Sequence, residues 1–128
     1  MAKWVHADVL DGGLNGIKNV AIRMLLINNY SAGDSYATVT GGANVLATVT
    51  MTGTDFTLGT SGNNRTLTTA AGKSATAANN SSTPDLHIAF TDNVSKVLWV
   101  TDETSNQAIT SGNTVNFPQI VYTAQQPT

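Results

Sequence analysis

The stretch Leu-His-Ile-Ala-Phe-Thr at residues 86–91 decides the fold class of this chain. Its large apolar side chains, Leu86, Ile88 and Phe90, recur at every second position. This period of two places them on one face of an extended strand and the residues between them on the other face. A helix would group apolar residues at spacings of three and four instead. The stretch therefore predicts a β-strand that packs one face into a core.

Similar strand patterns lie on both sides of this stretch. In residues 45–52 apolar side chains alternate with threonines, and Ala-Thr-Val-Thr occurs at 37–40 and again at 47–50, separated by Gly41-Gly42. We interpret these two strings as a β-hairpin with a short glycine-containing loop. Residues 21–27 predict a buried strand, with a helix as the alternative. Further short strands are predicted at 56–58, 65–69, 96–101, 108–110, 115–117 and 120–122.

These segments add up to about eight to ten short strands separated by turn signals, which is typical of β-sandwiches and jelly rolls. The predicted fold is therefore all-β, a single β-sandwich or jelly-roll-like domain over residues 1–128. In the strand at 96–101, Leu98 and Val100 lie on one face and Val97 and Trp99 on the other. Such a strand suits the centre of a sandwich, or a position under a partner subunit.

The N-terminal residues 1–18 predict an arm and a short helix. Asp8 is a suitable N-cap, and Leu10, Leu14 and Ile17 share one helical face. Residues 70–84 are small and polar and predict an exposed loop, which a surface protein could use to touch a neighbour. The tail from residue 124 onward is predicted to fray.

Composition excludes several classes of function. Charged residues make up 11% of the 128 residues and the net charge is −2, without a basic stripe, so a nucleic-acid partner is disfavoured. The chain has no cysteine, hence no disulfide framework or thiolate metal site. Its most apolar run, at residues 21–27, is too short to cross a bilayer. The first six residues lack the features of a signal peptide, which predicts use without Sec export.

No pattern of catalytic or cofactor-binding residues is present. His6 lies near Asp8 and Asp11, but zinc usually requires three or four well-spaced ligands, and nothing in the sequence brings His87 close. A Ser-His-Asp set could be drawn around His87, yet no nucleophile elbow accompanies it. Calcium-loop and phosphate-loop patterns are also missing. We therefore expect no enzyme activity, no catalytic residue, no metal and no cofactor.

The large aromatic residues stand out as candidate contact residues. Aromatic side chains dominate interface energetics, and a tryptophan four residues from the terminus rarely belongs to a core. Trp4 is therefore a candidate interface anchor, whereas Trp99 is expected chiefly in the core. The predicted interface residues, with the N-terminal segment as one docking element, are Trp4, His6, Asp8, Asp11 and Trp99.

Two stretches of the chain resemble small structural proteins of tailed-bacteriophage virions. One is residues 4–15, Trp-Val-His-Ala-Asp-Val-Leu-Asp-Gly-Gly-Leu-Asn, and the other is residues 96–104, Lys-Val-Leu-Trp-Val-Thr-Asp-Glu-Thr, followed by residues 108–115. The resemblance extends over most of the chain and is weakest in the middle. The virion proteins that the chain resembles include cement-type proteins, which have jelly-roll-like folds and bridge capsid subunits.

This resemblance implies a non-enzymatic cement or decoration protein of the capsid surface, assembled in the host cytoplasm. Its implied partners are the major capsid protein and copies of itself, in a homodimer or trimer, with neither nucleic acid nor membrane. Deletion of residues 1–12 is then expected to abolish capsid binding and to leave the fold. A neck or tail component and a receptor- or carbohydrate-binding β module are the alternatives. A small hydrolase and a bacterial cell-surface fragment are more remote ones.

Overall fold

A computed structural model of the chain describes residues 2–82 and 85–127. Within them lie the helices α1 (Ala7–Lys18) and α2 (Tyr36–Thr40) and a 3-10 turn at Gly53–Asp55. The strands are β1 (Arg23–Ile27), β2 (Val45–Thr50), β3 (Phe56–Ser61), β4 (Asn64–Thr69), β5 (Ser74–Thr76), β6 (His87–Thr91), β7 (Val97–Asp102), β8 (Thr114–Asn116) and β9 (Val121–Ala124). No helix among these residues is long and apolar enough to span a membrane.

The strands form three antiparallel sheets. The first has the order β2-β1-β6-β7, the second β3-β4-β9, and the third pairs β5 with β8. Apolar side chains of the sheets and of α1 meet in one core, so the all-β, sandwich-like prediction is confirmed. The finer jelly-roll prediction is not confirmed, because that architecture distributes eight strands over two sheets.

The strand predicted at residues 86–91 lies at the centre of this arrangement as β6. Leu86, Ile88 and Phe90 are completely buried in the principal core, together with Met24 and Leu26 of β1. The sequence pattern thus assigned the inward face correctly. Phe56 and Leu67 enter the same core from the second sheet.

The opposite face of the first sheet is also covered. Leu25, Ile27 and Ala89 form a second buried cluster with Val39 of α2, and Tyr30 packs against it. The central strands β1 and β6 therefore bury both faces, which is why Arg23–Ile27 has an almost unbroken apolar sequence.

Residues 36–40 form the helix α2, so the predicted strand and hairpin there are wrong. The Ser35 hydroxyl accepts a hydrogen bond from the Thr38 N–H at 3.2 Å, which caps the helix. Burial of Val39 in the second cluster outweighs the strand preference of these β-branched residues. The partner of β2 is β1, with Thr48 opposite Leu25.

Helix α1 begins at Ala7, and its N-cap is His6 instead of the predicted Asp8. The His6 Nδ1 accepts a hydrogen bond from the Asp8 N–H at 3.1 Å. The imidazole nitrogen takes the acceptor role that a Ser, Thr, Asp or Asn side chain usually has at this position. Leu14 and Ile17 are buried as predicted.

The strand at residues 96–101 corresponds to β7, which is an edge strand of the first sheet and not a central one. Its pairing with β6 shifts between Phe90 and Thr91, a β-bulge that leaves Leu98 unpaired. Trp99 turns into the core while Val97 and Val100 pack against the second cluster. The two-sided covering expected of this strand thus comes from its own chain.

Two segments predicted to be irregular are more ordered. Residues 70–84 were expected to form an exposed loop, but Ser74–Thr76 form β5, Ala77 is buried, and Ser81 pairs with Ile109. Residues 83–84 of that loop lie outside the described residues. The predicted fraying from residue 124 is also wrong within the described residues, because β9 runs to Ala124 and the backbone N–H of Gln126 donates to Asn64 Oδ1.

Candidate functional site

The N-terminal segment, residues 2–6, presents Trp4 to solvent. The Trp4 side chain is 64% exposed, an unusual state for the largest side chain in the protein. The backbone of its neighbour Val5 makes two hydrogen bonds with the side chain of Gln126. The Val5 N–H donates to Gln126 Oε1 at 2.9 Å, and Gln126 Nε2 donates to the Val5 carbonyl at 3.0 Å. Trp4 therefore stands on a backbone that is fixed to the C-terminal segment.

His6 and Asp8 follow Trp4 in the chain and are exposed as well. Their side chains lie 3.6 Å apart between His6 Nδ1 and the Asp8 carboxylate, and both are largely exposed. Because His6 Nδ1 already accepts the Asp8 N–H, the imidazole serves first to start α1. Their predicted roles in an interface stay predictions.

Asp11 links α1 to the second sheet through an ion pair with Arg65 of β4. Its carboxylate accepts a hydrogen bond from Arg65 Nε of β4 at 2.8 Å. This hydrogen bond raises the pKa of the Arg65 guanidinium above its ordinary value. Lys18, at the other end of the helix, donates to the Phe56 carbonyl at 2.8 Å. The geometry gives Asp11 a structural role, and its predicted part in an interface stays a prediction.

Trp99 lies within a series of aromatic rings that leads from the core to the surface. Phe90 packs against Phe56 with ring centroids 5.8 Å apart and stacks on Trp99 at 4.6 Å. Trp99 in turn meets the edge of Tyr122 at 5.3 Å. Trp99 is 9% exposed and Tyr122 is 41% exposed, so Tyr122 and not Trp99 is the ring that a partner could reach.

A groove of about 590 Å³ lies beside Tyr122, between α1 and the edge strands β7 and β9. We call it the edge groove. Its lining combines apolar side chains with the bare backbone of two helix glycines and consists of Gly13, Leu14, Gly16, Ile17, Leu98, Tyr122, Thr123, Ala124 and Gln125. The sequence alone gives no indication of this groove, because its walls lie far apart in the chain.

A separate polar cluster lies at one end of the first sheet. One ligand-type atom each of Asp85, His87 and Asp102 lies within 4.8 Å of the other two. We call these residues the Asp–His–Asp cluster. In the sequence Asp85 stands two residues before His87, whereas Asp102 is fifteen residues further on. Among the described residues, no serine hydroxyl hydrogen-bonds to His87, so no triad is assembled there.

Comparison with known proteins finds no family model, no curated protein and no solved structure that matches this chain.

Proposed function

We propose that this protein is a non-enzymatic structural component of a tailed-bacteriophage virion that decorates the capsid and stabilises its major subunits. The single observation that carries the proposal is Trp4, a large aromatic side chain held out to solvent on a fixed backbone. The resemblance of residues 4–15 to small virion proteins falls on the same segment.

The physical reason concerns the free energy of docking. A buried tryptophan removes about 150–250 Å² from water, and apolar area contributes about 25 cal/mol per Å². Because the hydrogen bonds of Val5 to Gln126 already order the backbone, docking loses less conformational entropy than docking of a free tail. A weak single contact of this kind becomes firm attachment when it is repeated over a shell.

Self-association is the second part of the proposal. Several of the described strands pair on one side only, among them β7 and β9, and of these β9 carries two exposed large apolar residues, Val121 and Tyr122. Unpaired strand edges with apolar side chains are prone to pair with other chains. A homodimer or trimer formed along these edges would cover them.

The test measures addition of the purified protein to undecorated capsids, read by sedimentation and by the heat resistance of the particles. Wild-type protein is expected to add saturably and to raise heat resistance. Trp4→Ala is expected to weaken addition by about tenfold or more, in the range of an interface hot spot. Val94→Ala is the matched control, since Val94 is 75% exposed in the β6–β7 turn. Equal addition by Trp4→Ala and wild type would contradict the docking role of Trp4.

Absence of any addition to capsids would move the assignment to a neck or tail component. Binding to whole host cells or to a glycan would favour the receptor- or carbohydrate-binding alternative. The deletion of residues 1–12 is unsuitable as a test, because α1 begins at Ala7 and anchors Leu14 and Ile17 in the core. Loss of half the helix would disturb the fold together with any interface.

A further inference from the structure

We propose that the Asp–His–Asp cluster is a binding site for a divalent transition-metal cation, with Zn²⁺ as the reference ion. Asp102 ends β7, one of the two edge strands of the proposed self-association, but the cluster contains neither Trp4 nor Val121, and the inference is independent of the proposed function. It rests on three observations: the strand register that brings the three side chains together, their lack of other partners within residues 2–82 and 85–127, and the chemistry of the donor set.

The register of β6 and β7 places the donors side by side. His87 is directly opposite Asp102 in the antiparallel pair. Side chains opposite each other in such a pair lie on the same face about 4.5–5.5 Å apart at Cβ. The pairing continues one step further, since the Glu103 N–H donates to the Leu86 carbonyl at 2.9 Å. Asp85, two residues before His87, therefore returns to the same face.

None of the three donor side chains has a hydrogen-bond or ion-pair partner among the described residues. The Nδ1 atom of His87 is buried and has no hydrogen-bond partner there, and a buried polar atom of this kind calls for a ligand or water. The carboxylates of Asp85 and Asp102 take part in none of the hydrogen bonds or ion pairs found in that part of the chain. Other acids contrast with them, since Asp11 pairs with Arg65 and Asp55 with Lys73.

The donor set indicates the class of cation. One imidazole with two carboxylates suits Zn²⁺ and related transition metals, whereas Ca²⁺ and Mg²⁺ prefer oxygen ligands throughout. Two ligand atoms on a tetrahedral Zn²⁺ are about 3.3 Å apart at the usual bond lengths. The present separations of up to 4.8 Å close to that value by side-chain rotation of the exposed Asp85 and Asp102. Water can occupy the fourth position.

The surroundings and charge of the donors suit a divalent cation. The Tyr30 ring lies 6.1 Å from the His87 ring between centroids. Two carboxylate ligands and a neutral imidazole would balance the charge of the ion. The bound ion would tie the segment entering β6 to the end of the edge strand β7.

The experiment is a calorimetric titration of the full-length protein with Zn²⁺, accompanied by thermal unfolding with and without the metal. Wild-type protein is expected to bind one ion and to unfold at higher temperature in its presence, because a ligand specific for the folded state stabilises it. Asp85→Asn and Asp102→Asn are expected to weaken binding by about tenfold or more while keeping the side-chain shape. Both positions are exposed, so the variants fold.

His6→Asn is the matched control. It removes the other imidazole of the chain, and asparagine still caps α1. Unchanged Zn²⁺ binding by His6→Asn, with weakened binding by the two aspartate variants, supports the site. No saturable binding to wild-type protein overturns the proposal. Equal binding by wild type and Asp102→Asn, or binding lost in His6→Asn alone, also overturns it.

Discussion

The two tryptophans show how differently one residue type is used in this protein. Trp99 is 9% exposed and stacks on Phe90, with Tyr122 against its other side. Trp4 is 64% exposed, and its ring takes part in none of the ring contacts found among the described residues. Stability should therefore depend on Trp99, whereas Trp4 is free to serve an external contact.

Replacement of each tryptophan by alanine tests this difference. We expect Trp99→Ala to lower the free energy of unfolding by about 3–5 kcal/mol, since a large buried ring leaves a cavity. Trp4→Ala is expected to change it by no more than about 0.5 kcal/mol. Urea denaturation followed by far-ultraviolet circular dichroism measures both. A loss of comparable size in Trp4→Ala would show that Trp4 belongs to the core.

Two short elements of the fold are held by carboxylates. In the turn between β6 and β7, Asp92 Oδ1 accepts hydrogen bonds from the backbone N–H groups of Lys96, Ser95 and Val94, each at 2.9 Å, and these lower the pKa of Asp92. In the 3-10 turn, burial opposes ionisation of Asp55. The hydrogen bonds from Lys73 and Thr52 outweigh it, and the pKa of Asp55 is lowered.

These lowered pKa values predict acid sensitivity. A carboxyl whose pKa is lower in the folded state binds fewer protons there than in the unfolded chain, so its stabilisation is present above the ordinary value of 3.8. That stabilisation is lost as the pH falls below about 4 and through the folded-state pKa. We expect the free energy of unfolding to fall over this range. Chemical denaturation at a series of pH values measures the fall.

Asp92→Asn identifies the source of that dependence. The amide oxygen still accepts hydrogen bonds, but the position no longer titrates. The variant should therefore lose less stability than wild type between pH 5 and about pH 2.5, the range in which ordinary carboxyl groups titrate. Asp55→Asn should act in the same direction. An acid dependence in Asp92→Asn as steep as that of wild type would contradict the assignment of this turn.

At the scale of the whole molecule, the placement of the sheet edges determines where other chains can attach. The outer edge of β2 is contacted by the segment after β5, since the Ala78 N–H donates to the Leu46 carbonyl at 2.7 Å and Asn79 Nδ2 donates to the Val45 carbonyl. The edges at β7 and β9 have no paired strand among the described residues and flank the edge groove. Self-association is therefore expected on that side of the molecule.

Val121→Lys tests association through the β9 edge. Val121 is 54% exposed, so a lysine there should change the free energy of unfolding by no more than about 0.5 kcal/mol. A charged residue on an edge strand opposes pairing with another chain, so the variant is expected to shift the protein toward monomer. Light scattering after size-exclusion chromatography gives the mass. Val94→Lys, in an exposed turn, is the control, and an unchanged dimer or trimer in Val121→Lys would exclude this edge.

The candidate sites were predictable in unequal measure. Trp4 could be singled out because a tryptophan near a terminus and outside any apolar pattern lacks a place in the core. The Asp–His–Asp cluster could not be predicted from the sequence, since only the pairing of β6 with β7 brings His87 and Asp102 close together. That register depends on the length of the turn and on the bulge between Phe90 and Thr91. Local sequence gives no direct signal for such a bulge.

The sequence by itself determined the all-β class, the positions of most strands, the N-terminal helix and the inward face of β6. Each of these follows from side-chain periodicity, which the chain carries locally. The two copies of Ala-Thr-Val-Thr mark the limit of such reasoning, because residues 37–40 lie in the helix α2 and residues 47–50 in the strand β2. Ser35 caps the first copy and the second cluster buries its Val39, whereas the second copy pairs with β1. Only the tertiary structure decided between them, because burial and strand pairing contribute more free energy than the intrinsic preference of a tetrapeptide.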